Sequence, residues 1–180
     1  MSVVASSAIV LSAYRPILFL ALVAVFSFYA AFYAYRVLGM KDLVRGGKAG
    51  WLDWVAAVVT VVCSLALAGF GIFRPALVSN MGVVPVIFGL LGTSLGSRRI
   101  YGFLHPPSDR MFWWYEHLQG MMGSYIAAWT AFSAVTLSRL IGTTWIMWLW
   151  PLIVGVPAIS LTTAYYRRKF AQRKQVAAAD

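Results

Sequence analysis

The sequence predicts an all-α integral membrane protein, a bundle of five transmembrane helices with its N-terminus outside and its C-terminus in the cytoplasm. Hydrophobic residues make up 61% of the 180 residues and charged residues only 11%, too little polar surface for a water-soluble domain. Five apolar segments also meet or approach the roughly 20 residues that a helix needs to cross about 30 Å of hydrocarbon. We therefore expect any chemistry to lie within the helices or in short loops.

The predicted organisation has three parts. An extracytoplasmic segment, 1–14, precedes the transmembrane domain, 15–166, and a basic cytoplasmic tail, 167–180, follows it. The third span is the weakest because it is short and contains Pro85. Within the domain the spans are predicted at 17–38, 51–73, 79–95, 118–137 and 144–166.

The distribution of basic residues supports this span count. Of the 15 lysines and arginines, all but Arg15, Arg74 and Arg139 follow the first, third or fifth span. Basic residues accumulate on the cytoplasmic side of membrane proteins, so the clean split fits five spans and a cytoplasmic C-terminus. We predict a multi-pass protein of a bacterial plasma membrane.

The net charge of +10 needs no nucleic-acid partner, because the basic residues flank apolar runs. Five of them lie in the C-terminal tail, just beyond the last span. Each lysine or arginine near an anionic membrane surface contributes about 1 kcal/mol to attraction, so anionic lipids are the predicted partner of the tail.

Small residues in spans three and four indicate close helix contacts, because association inside lipid depends on tight packing of backbones. We expect these two spans to be tightly packed central helices, and other membrane subunits or a second copy of the chain to be possible partners. The predicted packing residues are Gly89, Gly92, Gly96, Gly120, Ser124 and Ala128.

Polar residues at the cytoplasmic rim form the principal candidate site. Asp53 lies in the first turn of span two, and Glu116 and His117 lie at the start of span four. Such a group could hold a divalent metal, relay protons or bind a quinone head group. The favoured alternative is that each residue pairs separately with an arginine or a lipid head group. The other predicted members are Tyr33, Tyr35, Arg36, Arg98 and Arg99.

Metal and haem ligands are scarce in this chain. His105, His117 and Glu116 are the candidate metal ligands, and bis-histidine haem would need both histidines. Haem is disfavoured because His105 precedes Pro106 and Pro107 in a loop, whereas haem ligands usually project from facing helices.

An aromatic stripe follows one face of span one. Phe19, Phe26, Tyr29 and Tyr33 are spaced at helical intervals, which places them on the same side. The stripe could line a flat cofactor or a lipid, although packing is the more common role of such a pattern.

No nucleophile elbow, phosphate-binding loop or zinc-protease motif is present, which favours a non-enzymatic protein. The first functional hypothesis is a membrane subunit or a small-ligand-binding protein that assembles through its helices. The alternative is a redox or proton-handling protein that binds quinone, haem or metal at the Asp53, Glu116 and His117 cluster. A weaker alternative is a small transporter with spans three and five bent at their prolines.

Overall fold

The computed structural model describes residues 18–73, 83–137, 140, 142 and 145–176. Over these residues the chain is all-helical, with five long helices and no strand, which confirms the predicted secondary-structure class. The predicted N-terminal segment, 1–14, and the first residues of the third predicted span lie outside the described residues. The helices are α1 (Leu18–Arg36), α2 (Trp51–Phe73), α3 (Val83–Leu104), α4 (Phe112–Phe132) and α5 (Trp145–Val176).

Four of these helices, α1, α2, α3 and α5, are long and apolar enough to cross a membrane. In the described chain α4 has 21 residues but is not among the four. Its first turns carry Glu116, His117 and Gln119, which lower the mean hydropathy of the helix. Length and apolarity alone therefore support four spans rather than the predicted five.

Two short 3₁₀ turns, Val37–Gly39 and Lys41–Arg45, carry the chain from α1 to α2. Gly46 ends the second turn with a φ of 86°, in the left-handed region that glycine adopts without a steric penalty. The connection spans residues 37–50, and the Arg36–Asp53 ion pair places the end of α1 beside the start of α2.

Helices α3 and α5 extend beyond their predicted apolar spans. The third predicted span stops at residue 95, before the two arginines, yet α3 continues to Leu104. Likewise α5 runs without a break for 32 residues to Val176, about 48 Å at 1.5 Å per residue. The predicted basic tail is therefore helical as far as Val176. Hydropathy marks the end of an apolar stretch, whereas backbone hydrogen bonding decides where a helix ends.

The start of α4 is organised by Asp109. Its side-chain oxygen accepts a hydrogen bond from the Met111 N–H at 3.0 Å, and its carbonyl accepts one from the Phe112 N–H at 3.0 Å. A π-helical turn, Ser133–Leu137, continues the helix to the end of the fourth predicted span.

The prolines occupy different positions in their helices. Pro85 lies in the first turn of α3, where a missing N–H costs little, and Pro151 and Pro157 lie inside α5.

The helices differ in how extensively they pack against one another. The most extensive interface joins α2 to α3, followed by α4 with α5, α1 with α4, and α1 with α2, while α3 and α5 touch only slightly. Spans three and four are expected to be tightly packed central helices. In the structure α3 packs chiefly on α2, and α4 packs on α1 and α5.

The glycines predicted for packing lie at two separate interfaces. A β-carbon at Gly89 would lie 2.6 Å from the Ala68 β-carbon, and one at Gly96 would lie 2.6 Å from a Val61 methyl, both on α2. Gly92 faces Ser64, which is also on α2. On α4, Gly120 packs against α1, Ser124 donates a hydrogen bond to the Gly120 carbonyl, and Ala128 is exposed.

Two buried clusters define the ends of the bundle. One, with Phe88 and Leu149, lies where α2 ends and α3 and α5 begin. The other, with Tyr33 and Val37, lies where α1 ends and α2 begins. We call the second end the basic end, because Arg98, Arg99 and Arg167 line cavities there.

Candidate functional site

Asp53 forms a closed ion pair with Arg36. The Arg36 Nε and Nη2 atoms donate to the two carboxylate oxygens at 2.9 Å each, and the Gly50 N–H donates to Oδ2 at 3.0 Å. Asp53 is 2% exposed, so nearly all of its hydrogen-bonding capacity is directed to these partners. A two-pronged arginine–carboxylate pair is geometrically specific, and here it ties the end of α1 to the start of α2.

Glu116 forms a second ion pair, with Arg99, which joins α4 to α3. The Arg99 guanidinium also lies over the Tyr33 ring of α1, 4.2 Å from its centroid. Arg99 is only 8% exposed, and a buried guanidinium requires such compensation because its desolvation is costly.

His117 binds the backbone of α1. Its Nδ1 lies 2.7 Å from the Ala34 carbonyl oxygen, which can only accept, so Nδ1 carries the donated hydrogen. Ala34 belongs to the last turn of α1, where carbonyls lack a regular helical partner. This hydrogen bond therefore connects α4 to the end of α1.

The three residues of the predicted cluster are thus arranged around the end of α1 but have separate partners. No hydrogen bond or ion pair among the described residues joins Asp53, Glu116 and His117 to one another. Tyr35, the other predicted tyrosine, is 76% exposed. The arrangement matches the alternative of separate pairing and links α1 to α2, α3 and α4.

The predicted metal ligands do not assemble in the part of the chain that the structure describes. No group of three or more His, Cys, Asp or Glu side chains lies within reach of a common ion there. His105, after the end of α3, stacks on Tyr101 with ring centroids 4.3 Å apart and is exposed.

A cavity of about 470 Å³ lies between α1, α3, α4 and α5. The sequence pattern offers a ligand lining only as the less common role of the aromatic stripe. Three members of the aromatic stripe, Phe26, Tyr29 and Tyr33, line it from α1. The side chain of the fourth, Phe19, lies outside the described residues. The volume falls within the roughly 300–1,000 Å³ typical of small-molecule sites.

Polar groups in this cavity lack partners. The Tyr29 hydroxyl and the Thr163 hydroxyl are buried and have no hydrogen-bond partner among the described residues. A buried polar group without a partner typically costs about 1–3 kcal/mol, so such groups call for an explanation. Thr163 gave no recognisable signal in the sequence, because a lone threonine in an apolar helix is common.

A second, more polar cavity of about 270 Å³ adjoins the first at the basic end. Tyr33, Arg98, Arg99 and Arg167 line both cavities. Hydropathy assigns Arg167 to the tail, but α5 continues as a helix and brings Arg167 to both cavities. The polar cavity is completed by side chains that include Ser108, Asp109, Tyr115 and Glu116.

These features can bind a molecule with an apolar body and a polar end. The larger cavity supplies aromatic and aliphatic walls, and the arginines supply charge and hydrogen-bond donors where the cavities meet. Comparison with protein-family models, with curated proteins and with solved structures finds no match, so this geometry is the basis for assigning a function.

Proposed function

We propose that the chain is a five-span plasma-membrane protein whose N-terminus is outside and whose C-terminus is cytoplasmic. Four helices are apolar enough to span, and α4 packs against two of them, α1 and α5. Its polar residues Glu116 and His117 are matched by Arg99 and by the Ala34 carbonyl, which reduces the cost of placing them in lipid. The distribution of basic residues supports the orientation.

Within this topology we propose a non-enzymatic protein that binds a small amphipathic ligand in the cavity between α1, α3, α4 and α5. The observation that carries the proposal is the cavity of about 470 Å³ with the buried, unpartnered hydroxyls of Tyr29 and Thr163. A ligand oxygen would supply the missing partners, and the apolar walls would hold the rest of the molecule.

A redox or proton-handling role for the Asp53, Glu116 and His117 cluster has less support. Both carboxylates pair with arginines, and the histidine holds a backbone carbonyl. These contacts favour a role in joining helices. Identification of the copurifying ligand would reveal a quinone if one occupies the larger cavity.

The test is to identify what copurifies with the protein and whether it occupies this cavity. A β-carbon at Gly123 would have no neighbour within 4 Å, and Gly123 lines the cavity, so Gly123→Leu should fill space without a backbone clash. We expect native mass spectrometry and solvent extraction to show one bound amphiphile in the original protein, and the variant to bind it with roughly tenfold lower affinity, a loss of about 1.4 kcal/mol.

Ala128→Leu is the matched control, because Ala128 lies on the same helix but is exposed and does not line the cavity. Its occupancy should equal that of the original protein. An empty cavity in all three proteins, or equal loss in both variants, would overturn the proposed site.

A further inference from the structure

We propose that the ligand is a single-chain lipid with an anionic head group, its chain in the larger cavity and its head group among the arginines of the basic end. This inference rests on the proposed ligand-binding function and specifies the ligand class. It follows from the shape of the two cavities, from their charge and from the buried groups that lack partners.

The shape of the larger cavity suits one apolar chain. Away from the arginines it is walled by Phe26, Phe88, Ile126 and Leu152, from four different helices. Its lining surface is mainly apolar, and its volume of about 470 Å³ suits one chain better than two.

The charge at the junction of the cavities favours an anion. Arg98 and Arg167 line both cavities, and neither has a carboxylate within salt-bridge distance among the described residues. Arg167 lies over the Tyr115 ring, 5.1 Å from its centroid. Stacking on an aromatic face leaves the guanidinium edge available for hydrogen bonds to an anion.

Acidic groups nearby do not neutralise these two arginines. Glu116 pairs with Arg99, and no ion pair in the described part of the chain joins Asp109 to Arg98 or Arg167. Among the described residues that line the larger cavity there is no Asp or Glu. A phosphate or carboxylate entering the junction would therefore meet two uncommitted guanidinium groups.

Buried polar groups distinguish this site from the surface that surrounding lipids contact. Tyr29 is 2% exposed and Thr163 is 6% exposed, so surrounding lipids do not reach their hydroxyls. The buried Nε of Arg99 also lacks a hydrogen-bond partner among the described residues. Tyr29, Arg99 and Thr163 all line the larger cavity, so a ligand oxygen or a water held there would supply the missing partner.

The experiment titrates the full chain in detergent with oleoyl-lysophosphatidate and, in parallel, with monoolein, which has the same chain without the phosphate. Native mass spectrometry measures the bound fraction. We expect one molecule of the phosphate lipid to bind at least about tenfold more tightly than monoolein, because only it places an anion between Arg98 and Arg167. Glycerol phosphate, which has the head group without the chain, should bind far more weakly.

Two substitutions test the arginines directly. Arg98→Gln and Arg167→Gln should each lower affinity for the phosphate lipid about tenfold and leave monoolein binding unchanged. Both arginines are exposed, so their replacement should not prevent folding. Arg168→Gln is the matched control, since Arg168 is exposed, adjoins Arg167 in α5 and lines neither cavity.

The outcomes separate this inference from the function on which it rests. Equal binding of both lipids, unaffected by either arginine variant but blocked by Gly123→Leu, would overturn the anionic head group and retain the cavity as a ligand site. Equal binding of glycerol phosphate would overturn the role of the chain. Absence of any saturable binding that Gly123→Leu reduces would overturn both proposals.

Discussion

Helix α3 has two unlike faces. One face presents Gly89, Gly92 and Gly96 to α2, with the backbones so close that a β-carbon at Gly89 would approach Ala68 to 2.6 Å. The opposite face presents larger side chains, Leu91 and Arg98 among them, to a cavity. Small residues draw helices together by removing the side chains between them, whereas larger ones hold neighbouring helices apart.

The difference between these faces assigns them different roles. The α2 face has no space for a ligand and gains its stability from contact along the helix. Buried hydroxyls without a partner among the described residues occur on both sides, Ser64 at the α2 contact and Tyr29 and Thr163 at the cavity. The space beside Tyr29 and Thr163 therefore distinguishes the cavity side and supports its proposed binding role.

Gly89→Leu should have the largest effect on the packed face. Its side chain would have to occupy the position of the Ala68 backbone and β-carbon, so α2 and α3 must separate. We expect the free energy of unfolding in detergent to fall by about 3 kcal/mol, at the upper end of overpacking effects. Gly123→Ala, on the cavity side, should be neutral or stabilising by up to about 1 kcal/mol. Equal destabilisation by both variants would remove the contrast between the faces.

Asp53→Asn should have an intermediate effect, at the join between α1 and α2. The change removes the charge that faces Arg36, and we expect a loss of about 2 kcal/mol in the free energy of unfolding, because the carboxylate is buried and hydrogen-bonded. This loss in the free energy of unfolding is smaller than for a fully buried pair, because the Arg36 side chain is 39% exposed and can reach solvent.

Asp42→Asn is the control for this substitution. Asp42 pairs with Arg45 at 3.9 Å with both side chains 81% exposed, so its loss should change stability by less than about 0.5 kcal/mol. Similar losses for both aspartates would show that the Arg36 pair has no special structural role.

Tyr29→Phe and Thr163→Val should have the smallest effects, and with the opposite sign. Each removes a buried hydroxyl that has no partner in the described chain, so we expect the empty protein to become more stable by up to about 1 kcal/mol. Thermal unfolding of delipidated protein measures this change. Addition of ligand should then stabilise the variants less than the original protein. A loss above about 1 kcal/mol in the empty protein would indicate that the hydroxyls already have partners.

Local sequence signals matched some helices closely and others poorly, for identifiable reasons. Span two is predicted at 51–73 and α2 covers Trp51–Phe73, because its apolar run is bounded by Gly50 and by Arg74-Pro75. Span three is predicted to end at residue 95, but α3 continues to Leu104. Arg99 can lie inside a helix because Glu116 and Tyr33, distant in sequence, compensate its charge.

Sequence patterns likewise identify some residues of the candidate site and miss others. The positions of Asp53 and Glu116 near helix starts follow from their places at the beginnings of apolar runs, and the aromatic spacing puts Phe26, Tyr29 and Tyr33 on one side of α1. No local pattern could identify Thr163 or Arg167 as members of the same site, since their helix, α5, meets α1 and α3 only in the folded bundle.

Composition, hydropathy and charge along the chain predict a helical protein with helices apolar enough to cross a membrane, and place its basic and aromatic residues near particular helix ends. These properties depend on each residue and its near neighbours. Which arginine neutralises which carboxylate, and whether two helices touch or enclose a cavity, depends on side-chain volumes brought together from distant segments. Helix α3 packs closely on α2 but not on α5. The space between α3 and α5 therefore exists only after the helices have assembled.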